Sequence, residues 1–170
     1  MPIPRPATLP ATEADLFAVL DGLGIRHQTF RHAPVATVEQ ANAVWAGIPG
    51  QHCKNLFLKD AKGRMWLVVV PADMRVDLKA LPDKIGSARL SFGSADRLVA
   101  TLGVPPGSVT PFALINDPGH RVRVVLDAHM MDQPLVAYHP LHNGATTVIS
   151  ADDLRAFVRW AGHDWEVVRL

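Results

Sequence analysis

A single cysteine, Cys53, stands among the 170 residues of this chain. One thiol cannot close an internal disulfide or build a multi-cysteine zinc site, and it fits a reducing compartment. An excess of charge is missing too: 17 Lys and Arg face 16 Asp and Glu, for a formal charge of +1. That balance excludes a polybasic coat for nucleic acid, so any RNA contact must be local and use few phosphates. No apolar run approaches the roughly 20 residues of a membrane span. The longest, Met65-Trp-Leu-Val-Val-Val70, has the length of a buried strand. The start, Met1-Pro-Ile-Pro-Arg-Pro, has no apolar signal-peptide core, so the cytoplasm is the expected location. The sequence also has no Gly-x-Ser-x-Gly elbow, Walker loop, Gly-x-Gly-x-x-Gly or His-Glu-x-x-His. Hydrolases and nucleotide-binding folds of those kinds have no support.

Core-forming residues are plentiful. Apolar residues make up 48% of the chain and charged residues 19%, the opposite of a disordered composition. The length suits one domain. Pro2, Pro4, Pro6 and Pro10 remove backbone donors from the first residues. They predict an extended arm over 1–11, outside a single domain of 12–170. Thr12, Thr37, Ser94 and Ser150 each precede an acidic or helical run and predict helix starts. Asp77 predicts a short helix through Leu81. The alternation over Lys54–Lys59, the turn Asp60-Ala-Lys-Gly63 and the apolar run to Val70 predict a hairpin. Further strands are expected at 25–31, 121–126, 135–138, 145–149 and 165–169. Early alternation of helix and strand with later strand clustering predicts an α/β fold. Its sheet is expected to be mixed and largely antiparallel, or a partly closed barrel, flanked by helices.

Few residues stand out for chemistry. Lys54 shares the alternating face of Leu56 and Leu58. A lysine turned inward costs desolvation unless it meets an anion or an open pocket; otherwise it is a strand-end lysine that snorkels to water. Cys53 is a nucleophile only if its thiol ionises; the plainer reading is a small buried hydrophobe. His139-Pro-Leu-His142 with His52-Cys53 offers possible zinc ligands, but Pro140 breaks the regular spacing. The plainer reading has both histidines bonding backbone beside a turn. The loop Gly103–Phe112 is rich in Gly and Pro, and His142–Thr147 is a turn carrying Gly144. Such loops are plain turns or bring amides close to a ligand.

Five segments carry a resemblance when taken in order: Thr37-Val-Glu-Gln-Ala, Lys54-Asn-Leu-Phe-Leu, Gly86-Ser-Ala-Arg-Leu-Ser-Phe-Gly-Ser, Gly107-Ser-Val-Thr-Pro-Phe-Ala-Leu-Ile-Asn-Asp117 and His139-Pro-Leu-His-Asn-Gly-Ala-Thr-Thr. Together they resemble the YbaK/ProX superfamily of aminoacyl-tRNA editing domains, related to the insertion domain of bacterial prolyl-tRNA synthetase. The last two segments are most similar to its free-standing ProXp-ala branch. The resemblance implies a trans-editing deacylase that clears alanine from tRNA(Pro), needing no metal or cofactor. It implies the aminoacylated acceptor end of tRNA(Pro) as partner, with prolyl-tRNA synthetase as a second one and no membrane. It also makes Lys54 the functional lysine. With it come Asn143 and Gly144 as catalytic candidates. Asn55, Arg89, Gly107, Ser108, Thr110, Pro111, His139, Ala145 and Thr146 are candidates for holding substrate. The rival readings are a deacylase for cysteine or serine on tRNA, a non-catalytic tRNA-end or synthetase binder, and a Cys53 or zinc hydrolase.

Overall fold

The computed structural model describes residues 3–35 and 37–170. Its elements are α1 (Glu13–Gly22), β1 (Gln28–Arg31), α2 (Val38–Trp45), β2 (Gln51–Asp60), β3 (Met65–Pro71), α3 (Leu81–Ile85), β4 (Leu90–Phe92) and α4 (Ala95–Leu102). A 3-10 helix (Pro111–Asn116), β5 (Val122–Asp127), α5 (Ala128–Met131), β6 (Leu135–Tyr138), β7 (Ala145–Ser150), α6 (Ala151–Trp160) and β8 (Trp165–Val168) follow. Four helices start where the caps predict. The side chains of Thr12, Thr37, Ser94 and Ser150 each accept the amide three residues on, which satisfies a donor the helix leaves open.

The strand order is β1-β7-β6-β2-β3-β5-β8, with β4 joined to β2. The β1/β7, β6/β7, β2/β3 and β2/β4 pairs are antiparallel, and β2/β6, β3/β5 and β5/β8 are parallel. Because β1 and β8 end the order, the sheet is mixed and open. The barrel alternative is therefore corrected, and antiparallel pairs are the majority, as expected.

β3 is buried along its whole length. Leu67 and Val69 enter a large core with Leu16 and Leu20 of α1, Phe112 and Leu114 of the 3-10 helix, and Leu154 and Phe157 of α6. Trp66, Val68 and Val70 enter a second cluster with Leu58, Leu81, Ile85 and Leu90. This two-sided burial explains the continuous apolar run of the strand. Each such large side chain contributes about 1.5–3 kcal/mol on burial.

Two local expectations are corrected. The helix expected from Asp77 is a turn, in which Asp77 Oδ1 accepts the Lys79 amide. α3 starts at Leu81 instead, with a proline in its first turn, where a missing N–H costs nothing. Nor does the N-terminal arm stand clear of the domain. Ile3 packs against the large core, Trp160 Nε1 donates to Ile3 O at 3.0 Å, and the Arg5 guanidinium lies 5.1 Å over the Trp160 ring. Ala11 N donates to Asn116 Oδ1 at 2.7 Å. Apolar Ile3 and cationic Arg5 thus outweigh the donor-poor backbone of the prolines around them.

Candidate active site

The site begins with a gap in the sheet. On its edge away from β3, β2 pairs with β6 at Gln51 and His52, and with β4 from Leu58 onward. Among the described residues, 53–57 pair with no strand on that edge. At the far end of the gap, Gly93 N donates to Phe57 O. A Cβ on Gly93 would lie 2.4 Å from the Phe57 ring, so this close approach requires glycine.

Lys54 and Asn55 occupy the gap on opposite faces of β2, as successive strand residues must. Lys54 is half-buried on the side of Leu56 and Leu58, and among the described residues its ammonium has no ion pair or hydrogen bond. Asn55 faces the other way. Its Oδ1 is buried and accepts no hydrogen bond. It borders a cavity of about 20 Å³ beside Trp45, Ala137, Tyr138, His139 and Thr146. That is room for a group the size of one water. A wider groove of about 670 Å³, lined by Ala41, Asn42, Trp45, Gln51, His52 and Leu135 among others, adjoins it and shares Trp45 and His52. The Trp45 and His52 rings stack 4.9 Å apart.

The β6–β7 turn supplies the next wall. His139 Nδ1 donates to Ala145 O across the turn at 2.8 Å. Burial pushes the His139 pKa down, with His32 and His142 adding to the shift and the Ala145 bond opposing it. The ring is therefore neutral near pH 7, with Nε2 left as an acceptor. Thr146 is buried and its hydroxyl donates to His32 Nε2 at 2.8 Å, because His32 Nδ1 is committed to Ala33 O. Ala145 is fully buried and pairs with Arg31. Gly144 N donates to His142 Nδ1 at 3.1 Å, so this amide is occupied rather than open. Asn143 projects from the apex and is half-buried.

The 103–111 loop meets that apex. Gly107 has φ +90, and a Cβ there would lie 4.0 Å from Asn143 Nδ2. Ser108 is buried with its amide bonded to Pro105 O, and Thr110 Oγ1 accepts from Phe112 N. Pro111 is buried as the first residue of the 3-10 helix. The amides of Gly107, Val109 and Thr110 carry no bond within the described residues.

Asn55, His139 and Thr146 thus gather at the small cavity, Lys54 stands at the gap on the opposite face of β2, and Gly107 meets Asn143 at the loop. Arg89 does not join them. Leu90 pairs with Asp60, so Arg89 lies about 20 Å along β2 from Lys54 at the usual rise per residue. The Cys53 and zinc readings find no geometry here. Burial pushes the Cys53 thiol up to about 12, and a protonated thiol is a poor nucleophile. Among the described residues no three His, Cys, Asp or Glu side chains converge as ligands. Sequence reasoning missed Glu13, His32 and Trp45. Glu13 reads as ordinary first-turn acid, and nothing local marks the other two.

A family model for the aminoacyl-tRNA editing domain matches residues 32–157. The prolyl-tRNA editing protein ProX of Acetoanaerobium sticklandii is 42% identical over 156 residues, covering 91% of this chain and 95% of its own. The mouse prolyl-tRNA synthetase associated domain-containing protein 1 is 36% identical over 156 residues, covering 89% and 92%. The crystal structure of hypothetical protein APE2540 superposes with a TM-score of 0.70 at 22% identity, over 92% of this chain and 99% of that one, a likeness of fold. A match over most of the chain and relatives of this identity, on a fold that opens its sheet at Lys54, establish that the chain belongs to the aminoacyl-tRNA editing domain family.

Proposed function

We infer that the protein is a trans-editing deacylase that hydrolyses Ala-tRNA(Pro) to alanine and free tRNA(Pro). The family is one of aminoacyl-tRNA editing domains, and the relatives at 42% and 36% identity are named a prolyl-tRNA editing protein and a prolyl-tRNA synthetase associated domain-containing protein. The observation that carries the reading is the gap beside β2, where a lysine and a buried amide oxygen, neither with a partner among the described residues, stand at successive positions on opposite faces of the strand.

An aminoacyl ester is already activated, so positioning and charge stabilisation suffice without a catalytic triad. Water adds to the ester carbonyl carbon, the ribose oxygen leaves, and the proton released from water ends on that oxygen. Lys54, on the outer side of the gap, holds the terminal nucleotide's phosphate by charge. Asn55 Oδ1 accepts from the α-ammonium group. The free amides at Gly107, Val109 and Thr110 are the donors placed for the developing oxyanion, and Asn143 orients the reacting group beside them. The terminal base enters the wider groove and stacks on Trp45, as unpaired acceptor ends do on aromatic side chains.

The small cavity supports alanine as the residue removed. Its volume of about 20 Å³ takes the primary α-ammonium that Asn55 Oδ1 accepts from and rejects proline, whose amine is part of a pyrrolidine ring, by clash, a stronger discriminator than one methylene of added contact. The test is a panel of tRNA(Pro) charged with alanine, serine, cysteine or proline. Alanine should be released at least about tenfold faster than proline. Preferential release of cysteine or serine would reassign the substrate, and binding with no release would make the protein a tRNA-end binder.

A further inference from the structure

The turn that carries Asn143 is held in an unfavourable shape from outside. Leu141 has φ +73, a left-handed conformation that a side chain bearing a Cβ avoids. Its side chain packs on the large core. The residue after it, His142, uses both ring nitrogens. Nδ1 accepts the Gly144 amide at 3.1 Å, and Nε2 lies 2.9 Å from Glu13 Oε1. An amide only donates, so the ring proton sits on Nε2 and is given to the carboxylate. Glu13 is in turn gripped by both Arg31 guanidinium nitrogens, at 2.7 and 2.9 Å. Arg31 belongs to β1, which pairs with β7 directly after the turn. Helix α1, strand β1 and the turn are therefore joined at one carboxylate, Glu13.

We propose that His142, held by Glu13 and Arg31, is a positioning residue that pins the Gly144 amide and so fixes Asn143 against the Gly107 loop. The role rests on the deacylase reading above. His142 cannot itself act as a base in this arrangement, because its one lone pair is filled by the Gly144 N–H. Its contribution is the place of Asn143, and hence the opening between the turn and the loop. A group misplaced by an ångström costs catalysis far more than binding.

Two substitutions separate the halves of the ring. His142→Asn leaves an acceptor near the Nδ1 position, whereas His142→Gln keeps the reach to Glu13 and loses that acceptor. Amide exchange of Gly144 should stay protected in His142→Asn and become unprotected in His142→Gln. On Ala-tRNA(Pro), His142→Gln should lose roughly tenfold or more in kcat with KM unchanged. It should also release proline relatively faster. His142→Asn should recover most of the loss. Equal Gly144 protection in both variants would overturn the pin. Unchanged kcat in His142→Gln, or losses that simply follow the unfolding midpoint, would overturn the positioning role. A native chain inactive on every charged tRNA would defeat the deacylase reading and the positioning role together, while the exchange data would still decide the pin.

Discussion

Cys53 and Lys54 are neighbours in sequence with opposite fates, because β2 turns them to opposite faces. Lys54 keeps an unpaired charge at the gap. Cys53 lies where burial raises its thiol pKa to about 12, with bonds to Tyr138 and Ala137 opposing the shift. Its Sγ also donates to Gln51 O at 3.3 Å. At neutral pH the thiol is protonated and inert. Cys53→Ala should therefore keep deacylase activity within about threefold, and iodoacetamide should not inhibit the native chain. Strong inactivation by either would restore the nucleophile reading. The sequence alone left that choice open, since burial depends on residues such as Tyr138 that are distant in the chain.

At the level of elements, the β2–β3 hairpin carries Lys54 and is closed by Asp60. This carboxylate is 3% exposed and accepts the Lys62 and Arg64 amides, Arg64 Nε and Trp66 Nε1. Burial works to raise its pKa, but the Arg64, Trp66 and Lys62 bonds outweigh it and hold the group at about 2. A depressed carboxylate stabilises the fold above its unfolded value of 3.8, and that contribution is lost as pH falls through about 2. Asp60→Ala should cost about 3 kcal/mol at pH 7 by leaving these donors unpaired. Urea titrations should show the difference between the two chains shrinking as pH approaches that value; a pH-independent difference would contradict the assignment. The hairpin was legible because alternation and the Asp-Ala-Lys-Gly turn are local signals. So were the four capped helices. β4, α3, α5 and the 3-10 helix were not, since runs of three to six residues carry too little periodicity and are set by tertiary packing.

For the whole molecule, the fold brings together positions far apart in the chain. Glu13 and His142 are 129 residues apart, and His32 and Thr146 are 114 apart. No spacing rule could join them, so Lys54 and the glycine-rich loops were each ambiguous until their order suggested a family. The arm was misplaced for a related reason: proline content speaks to hydrogen bonding, while Ile3 and Arg5 find partners on α6 that only the folded chain presents. Among the described residues no helix is long and apolar enough to cross a membrane. The central claim is that editing takes place where β2 leaves its neighbours. Single-turnover deacylation of Ala-tRNA(Pro) by the native chain and by Lys54→Ala tests it most directly, with unfolding midpoints measured alongside. The native chain should release alanine, and Lys54→Ala should be slower by at least about a hundredfold with its midpoint unchanged. Equal rates from the two chains would place the chemistry elsewhere.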